Sequence, residues 1–473
     1  MLVKTQINEM FINKNVLILG LGLSGLSCVR FLTKMGIDFA VNDSRNSPVD
    51  AEQFSKDFPL LNLSLGQWDQ TLIAAADIIV TSPGINLNDT NIAAYINENC
   101  QLWGDVELFF QILNLHHIVI PTLAVTGSNG KSTVVSLLAH IGKTLGMNIC
   151  LAGNIGTPIM TMLDEENLSK IDCLVLELSS FQLETLHSMN AVGVSVLNIS
   201  DDHLDRHNTL ENYQQIKHKI YQQAQTLVFN RDDDLTQPLT LKKNQNIVSF
   251  GSDETDQPQF GLLDNKQQLA ICNQPLISID QLPLAGIHNA LNCLAALALG
   301  QTVGWNLDEM VTALVSFKGL EHRCQKVSSN DGILWINDSK ATNVGATLAA
   351  IEGLAQAKKT SQKLILIAGG EGKGADFSPL KLVFNKYVDH LITLGKDGNK
   401  LAELTEKSTL STSLEAAVYS ASVIANKGDI VLLSPACASL DMFKNFAERG
   451  NAFMQAVLAL QKTNTPLEQG VNE

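Results

Sequence analysis

The sequence predicts an α/β protein of three domains, and three observations carry that prediction. Short apolar, β-prone runs recur and end at glycine or polar turns: VLILG at 16–20, LAVTG at 123–127, CLVLEL at 173–178, VSVLNIS at 194–200, LILIAGG at 364–370, LITLG at 391–395 and IVLLS at 430–434. Uninterrupted runs of this kind suit a parallel sheet covered on both faces. Amphipathic stretches alternate with them (SGLSCVRFLTKMG, KSTVVSLLAHIGKTLG, NALNCLAALALGQTVG), each with apolar residues at three-to-four spacing and a glycine at its end. Finally, 473 residues exceed one ordinary core, and about 150 residues per domain gives about three domains.

The expected blocks are 1–109, 110–319 and 320–473, with FKGLEHR as the hinge before the last. Residues 231–282 are polar and turn-rich (RDDDLTQP, GSDETDQP) and are expected to form a small antiparallel side sheet in the middle block. Hydrophobic residues make up 45% and charged residues 17%, a globular rather than disordered composition. A net charge of −15 repels phosphate backbones and argues against a nucleic-acid partner. Local cationic pockets can still hold small anions. Eight cysteines are scattered without a Cys-x-x-Cys pair, as expected of buried free thiols in a reducing compartment. The N-terminus lacks a signal-peptide layout, and no run reaches the ~18 apolar residues of a membrane span. A soluble, cytoplasmic protein with no membrane partner is expected.

In LAVTGSNGKSTVVSLLAH a β-prone run meets a helical one across a turn carrying Gly127 and Gly130. Such a turn aims backbone N–H groups and a helix N-terminus at an anion. Gly127, Ser128, Asn129 and Gly130 would cradle phosphates, Lys131 would neutralise their charge, and the Ser132 or Thr133 hydroxyl would ligate Mg²⁺. The first glycine of the usual phosphate-loop spacing is Val125, which points to a variant family. The alternative is a structural turn with a surface lysine.

GLGLSG, residues 20–25, follows VLIL and opens a helix, and Asp43 ends the next strand. This is the dinucleotide fingerprint, with an acid placed for a ribose about 20 residues on. The glycines could instead serve strand–helix packing alone. TSPGI, with Ser82 and Gly84, follows ADIIV and could line the same cleft. Glu177 ends CLVLEL, where open α/β sheets place ligands, and suits Mg²⁺. VSVLNIS runs into DDHLDRH, with Asp201, Asp202, His203 and Asp205, then a helix bearing Lys217 and Lys219. Helix capping is the default for the three aspartates; His203 is open between packing and function. In the last block WINDSKATN offers Asp338, Lys340, Thr342 and Asn343, AGGEGKGADF offers Lys373, and SPACASLDMFKNFAERG offers Ser439 and Phe446. All three follow strands and read as one cleft edge, although any single lysine there could be a solvated surface residue. The whole is an N-terminal Rossmann-like domain, a central P-loop-type ATPase domain with a mostly parallel sheet, and a C-terminal Rossmann-like domain.

VTGSNGKST, VLELSSFQLE, DDHLDRH, NDSKATN, GGEGKGADFSPL and LLSPACASLDMFKNFAERG resemble the Mur ligases of bacterial cell-wall synthesis, and the last two resemble the branch that adds D-glutamate. The loop that begins at the inner glycine is shared across that superfamily and with folylpolyglutamate synthases. The resemblance implies that ATP phosphorylates the carboxylate of UDP-N-acetylmuramoyl-L-alanine and that the amine of D-glutamate displaces phosphate. It also implies two Mg²⁺ ions, with Ser132 and Glu177 on one and His203 on the other, and a CO₂-derived carbamate on Lys217. Spacing from Tyr213 favours Lys217 over Lys219 as the carbamate site. Lys131, Glu177, His203 and Lys217 would be the catalytic set. Asn289 and Asn292 resemble adenine contacts; Arg323 and Asp338 resemble contacts to the ATP phosphates and ribose, with Lys340 beside them. Leu23, Ser24, Asp43, Ser44 and Arg45 resemble the UDP site, with Ser82 and Gly84 on the same cleft, so block 1–109 would bind the UDP substrate. Asn154 resembles a substrate or phosphate contact. Thr342, Lys373, Ser439 and Phe446 resemble the D-glutamate pocket, which makes 320–473 the amino-acid-binding block and 110–319 the ATP-binding one. The family motif GGDGK reads GGEGK here. A monomer is expected. The alternatives are a sister ligase adding L-alanine, lysine or diaminopimelate, an NAD(P)-dependent oxidoreductase built on residues 20–25, and a regulatory protein with a degenerate site.

Overall fold

The computed structural model describes residues 2–463 apart from 50, 60, 165–167, 255–258, 283, 285 and 359–360. Three sheets organise it. The first has five parallel strands in the order Asn62–Leu65, Ala40–Asp43, Val16–Leu19, Ile78–Thr81, Gln101–Gly104. VLIL is central because all four of its side chains are buried, so both faces need covering. The strand order reverses beside Val16–Leu19, and the crevice at such a switch point takes ligands.

The second sheet has nine strands in the order Gln274–Ser278, Gln268–Ile271, Phe260–Leu263, Asn246–Phe250, Ala224–Asn230, Ala191–Val196, Thr122–Thr126, Cys173–Glu177, Ile149–Gly153. The small side sheet expected in 231–282 is not separate from the central sheet, although Phe260–Leu263 and Gln268–Ile271 do fold back on each other as an antiparallel hairpin, Gln267 N–H donating to Leu263 O at 2.9 Å and Cys272 N–H to Gln259 O at 3.2 Å. Its strands extend the edge of the central sheet, and Asn246–Phe250 pairs in parallel with both Ala224–Asn230 and Phe260–Leu263. Their polarity reflects an edge that is half exposed on its outer strands, such as Gln274–Ser278. The third sheet runs Gln325–Val327, Leu334–Asn337, Ile430–Leu433, Leu364–Gly369, His390–Leu394, Ser408–Leu410. Only its first pairing is antiparallel among the described registers, a common edge in a doubly wound sheet.

The chain forms two compact units, one of 1–262 with 270–276 and 293–314, the other of 263–269 and 277–292 with 315–473. Within the first unit one hydrophobic core runs from Phe11 and Val29 through Phe109 and Ile159 to Leu183 and Leu227. The boundary expected at residue 109 falls inside the helix Asp105–Leu115, whose apolar side chains belong to that core.

The turn after VLIL depends on a close approach. A methyl placed on Gly25 would sit 1.9 Å from the Gly20 carbonyl oxygen, and Gly20 itself has φ +89°. Two of the three glycines of the fingerprint are therefore required, Gly25 by packing and Gly20 by its backbone conformation, while a Cβ on Gly22 would meet nothing within 4 Å. Gly25→Ala is expected to destabilise the first unit by about 1–3 kcal/mol, read as a lower midpoint in chemical denaturation; an unchanged midpoint would show that the turn tolerates the methyl.

Candidate active site

The buried strand Thr122–Thr126 delivers the chain into the turn at Gly127, and the helix Lys131–Thr144 starts after Gly130. Gly130 has φ +83°, a left-handed conformation that suits glycine. A Cβ on Gly127 would press on Leu197 Cβ at 3.1 Å and Asn198 N at 3.3 Å. The turn is pinned by Asn198, at the end of VSVLNIS. The Ser128 N–H donates to its carbonyl at 2.9 Å and the Asn129 N–H to its Oδ1 at 2.7 Å. The Ser128 hydroxyl donates to Ser200 O at 3.0 Å and accepts the Ser200 N–H at 2.9 Å. Two amides that the sequence offered to phosphate are thus turned onto Asn198, which sequence reasoning missed. Ser132 and Thr133, in the first helical turn, are buried.

Two lysines meet on this turn. Lys131 Nζ donates to the carbonyls of Gly127 at 2.6 Å and Ser128 at 2.9 Å. Lys217 Nζ donates to the same Gly127 carbonyl at 3.0 Å and lies 4.4 Å from the Tyr213 ring centre. Lys217 is 1% exposed. Burial first, and the Lys131 charge second, hold its ammonium pKa well below the usual lysine range, against weaker pulls from Asp202 and Glu177. Lys219, the other candidate, turns away and donates to Glu184 O at 3.1 Å.

Glu177 ends the strand beside Thr122–Thr126 and is 2% exposed. Its Oε1 accepts the Asn154 side-chain amide at 2.8 Å, while its Oε2 is buried without a hydrogen-bond partner. Asn154 also donates its backbone N–H to Glu177 O at 2.8 Å. His203 follows at the N-cap of Leu204–His207 with φ +53°, its side chain 42% exposed and its ring edge-on to Phe181 at 4.8 Å. His207, which the sequence reading passed over, is the buried histidine of DDHLDRH and meets Ser180 Oγ at 2.9 Å.

On the first sheet Asp43 is 2% exposed, and its carboxylate accepts Leu21 N–H at 2.8 Å and Arg45 N–H, Nε and Nη2 at 2.9, 2.9 and 2.7 Å. Burial alone would raise its pKa; the Arg45 and Leu21 hydrogen bonds outweigh it and hold the carboxyl below the usual range. Here the acid fixes the Gly20–Leu21 turn. Ser82 Oγ donates to Gly20 O at 3.0 Å. Leu23, Ser44 and Gly84 are exposed beside the same turn.

The remaining candidates lie on the second unit. Asn289 and Asn292 open the helix Ile287–Thr302 and bond to each other at 3.2 Å. Asp338 accepts Ser434 Oγ at 2.9 Å and Cys324 N–H at 3.2 Å; burial pushes its pKa up to about 6, against those bonds and the Arg323 charge. Lys340 Nζ sits 3.9 Å from the Phe446 ring centre. Ser439 is buried, Thr342 half-buried, and Lys373 exposed on a turn with φ +51°. Sequence reasoning missed the residue that ties these loops together. The buried Arg449 donates to Ser339 Oγ at 3.0 Å, Ser339 O at 2.8 Å, Cys437 O at 3.1 Å and Gly369 O at 3.5 Å. Those acceptors stand at the ends of three strands, just before Lys340, Ser439 and Lys373. Burial lowers the Arg449 pKa to about 10. Its position in FAERG, inside the last long motif, was the available signal.

The donor set fits Mg²⁺ at one point. A buried carboxylate oxygen with no partner is costly unless a cation meets it, and Glu177 Oε2 is such an atom. Among the described residues no three His, Cys, Asp or Glu side chains converge as a metal cage.

A phosphate loop, a buried carboxylate on the adjacent strand end and a nucleotide-type switch point define a class, the nucleotide-using α/β enzymes. Family comparisons narrow it: residues 14–104 match the MurD-like N-terminal domain of Mur ligases, 125–300 the Mur ligase middle domain and 322–437 the Mur ligase glutamate ligase domain. The chain is 54% identical to UDP-N-acetylmuramoylalanine--D-glutamate ligase of Colwellia psychrerythraea, across 95% of this chain and 98% of that protein. It is 45% identical to the protein of the same name in Shewanella violacea, across 95% and 97%. MurF ligase from Thermotoga maritima in complex with ADP shares the fold at TM-score 0.61 and 18% identity, covering 90% of this chain and 96% of that one. A pseudomurein peptide ligase type C from Methanothermus fervidus does so at 0.58 and 20%, covering 95% and 100%. The chain belongs to the Mur ligase family.

Arg449→Lys keeps a charge but cannot fork across three strand ends. Leaving buried carbonyls without donors costs about 1–3 kcal/mol each, so a clearly lower calorimetric melting midpoint is expected; an unchanged midpoint would show that the guanidinium does not hold the loops.

Proposed function

We propose that the chain is an ATP-dependent ligase that joins D-glutamate to UDP-N-acetylmuramoyl-L-alanine in peptidoglycan precursor synthesis. The observation that carries the reading is the partnerless, buried Glu177 Oε2 on the strand next to the phosphate loop, where a metal-bound nucleotide phosphate belongs. The near full-length identity to the Colwellia protein supports the particular amino acid. The oxidoreductase reading leaves the loop and the last block without work to do.

The chemistry follows from charge. A carboxylate oxygen is a poor leaving group and phosphate a good one, but an anionic carboxylate must first approach an anionic γ-phosphate. Lys131 and the N-terminus of Lys131–Thr144 offset that repulsion and stabilise the charge that develops. The carboxylate displaces ADP from the γ-phosphorus. The D-glutamate amine then adds to the acyl carbon, and phosphate leaves with the former carboxylate oxygen. Mg²⁺ held through Ser132 and Glu177, with His203 and a carbamate on Lys217 for a second ion, would shield the phosphates and polarise the transferred group. Lys217 is suited to that carbamate because burial disfavours its ammonium form: the neutral nitrogen would bond CO₂, lose a proton and become an anionic oxygen ligand. Asn154 is assigned to the substrate and holds Glu177 in place. Gly127, Ser128, Asn129, Gly130 and Thr133 are assigned to the phosphate turn, where Ser128 and Asn129 hold its shape through Asn198, and Asn289, Asn292, Arg323, Asp338 and Lys340 to the nucleotide. Leu23, Ser24, Asp43, Ser44, Arg45, Ser82 and Gly84 are assigned to the UDP group. Thr342, Lys373, Ser439 and Phe446 are assigned to D-glutamate, with Lys373 pairing a carboxylate. The three blocks 1–109, 110–319 and 320–473 would divide these tasks. Among the described residues no helix is long and apolar enough to cross a membrane; a cytoplasmic monomer is the form in which we expect the enzyme to work.

With ATP, Mg²⁺ and UDP-N-acetylmuramoyl-L-alanine, phosphate release should require D-glutamate and not respond to L-glutamate or L-lysine. Oxygen-18 placed in the acceptor carboxyl should appear in the liberated phosphate; release that ignores the amino acid, or phosphate without label, rejects the reading. Lys217→Ala should lose most activity and recover part of it with added short carboxylates. Full activity in that variant removes the carbamate from the account.

A further inference from the structure

The strand His390–Leu394 ends in a turn, Gly395 to Asp397, that has no role above. It lies against two loops assigned to D-glutamate: the turn after Leu364–Gly369, which carries Lys373, and the loop after Ile430–Leu433, which carries Ser439. The approach is close. A methyl on Gly369 would sit 1.9 Å from Leu394 O, and one on Gly395 would sit 2.6 Å from Asp441 Oδ2 and 2.8 Å from Gly370 Cα. The Lys396 N–H donates to Asp441 Oδ2 at 2.8 Å, just past Ser439. Glu371 and Ala438 exchange backbone hydrogen bonds at 2.9 Å each way, so the Lys373 turn and the Ser439 loop are also tied directly.

Asp397 makes the link to the Lys373 turn. Its backbone N–H donates to Gly370 O at 2.9 Å, and its Oδ2 accepts the Gly372 N–H at 2.8 Å. Its Oδ1 pairs with Lys400 Nζ at 2.7 Å, and the residue is buried. Asp397 is the N-cap of the short helix Gly398–Ala402, a position where an aspartate carboxylate ordinarily accepts the first N–H groups of its own helix. Here no side-chain cap bond forms, and the carboxylate reaches across to the neighbouring strand end.

The residue after Gly372 is Lys373, whose φ is +51°. A left-handed backbone is unfavourable for lysine and persists where its neighbours over-determine it. Asp397 on the Gly372 N–H is one such neighbour. Phe377 is another, since a methyl on Gly372 would sit 2.5 Å from its Cζ. The exposed Lys373 therefore projects from a backbone that is held in place.

We propose that Asp397 is a positioning residue: its carboxylate holds the Gly372 N–H, fixes the backbone from which Lys373 projects, and so sets where the Lys373 ammonium meets a carboxylate of the incoming amino acid. The inference rests on the ligase reading for the assignment of Lys373.

The experiment measures KM for D-glutamate, ATP and UDP-N-acetylmuramoyl-L-alanine, with the melting midpoint, in wild type, Asp397→Ala, Asp397→Asn, Lys400→Met, Lys373→Ala and the Asp397→Ala, Lys373→Ala double variant. Asp397→Ala should raise KM for D-glutamate about tenfold while the other two KM values change less than about twofold. Asp397→Asn keeps an oxygen for the Gly372 N–H and should return that KM to within about twofold of wild type. Lys400→Met removes only the other partner of Asp397 and should leave KM for D-glutamate unchanged. In the Lys373→Ala background Asp397→Ala should add little, because it acts through the lysine. An unchanged KM for D-glutamate in folded Asp397→Ala, an equal rise in all three KM values, an asparagine variant as impaired as the alanine one, or multiplicative effects of the two substitutions would each overturn the proposal. If Asp397→Ala does not fold, Asp397→Ser takes its place, because a serine hydroxyl can cap Gly398–Ala402 but is too short to reach Gly372. Amide hydrogen exchange at Gly372 reads the link without substrate: it should quicken in Asp397→Ala and stay slow in Asp397→Asn, and unchanged exchange in the alanine variant refutes the proposal. Wild-type turnover that ignores D-glutamate rejects the ligase reading, a failure distinct from that of the link.

Discussion

The carbonyl oxygen of Gly127 accepts hydrogen bonds from two lysines, the half-buried Lys131 and the fully buried Lys217. Two ammonium groups on one acceptor repel each other, and burial removes the water that would screen them. The Asp202 and Glu177 carboxylates offset that repulsion only in part. Lys217, the more deeply buried, is the one whose ammonium form is disfavoured. Glu177 Oε2 on the next strand end is the opposite imbalance, a buried acceptor that no hydrogen bond reaches. The phosphate loop, the helix that starts from it and the neighbouring strand ends make physical sense together as a place built for more charge than the protein alone supplies.

The second unit solves a related problem with a cation. Among the described residues no carboxylate forms an ion pair with Arg449; its guanidinium is held by carbonyls and a hydroxyl at three strand ends. A buried guanidinium that binds backbone oxygens rather than an acid keeps its positive potential for whatever comes near, and the loops it organises carry Lys340, Lys373 and Ser439. Asp338, on one of the same strand ends, is pushed toward its protonated form by burial. In both units the sheets bring loops to a common edge, and a buried charged side chain fixes how those loops stand.

Much of this was legible in the sequence where a local pattern dictates a local structure. VTGSNGKST declared a strand, a turn and a helix N-terminus, and all three are there. The strand-end rule picked out Glu177, and two glycines of GLGLSG are required, Gly25 by its approach to the Gly20 carbonyl and Gly20 by its positive φ. What was not legible depends on partners distant in the chain. Asn198 capturing the loop amides, Lys217 reaching Gly127 and Arg449 bridging three strands follow from sheet order, which no short motif encodes. The polar stretch 231–282 misled for a related reason: edge strands are half exposed, so their composition resembles that of turns.

The central physical claim is that burial disfavours the charged form of Lys217, which leaves its amine open to CO₂. Carbon-13 NMR of the protein equilibrated with labelled bicarbonate and Mg²⁺ tests it directly. A protein-bound carbamate resonance in the wild type that disappears in Lys217→Ala is the predicted result; a wild-type spectrum without it, or a resonance that survives the substitution, would contradict the account.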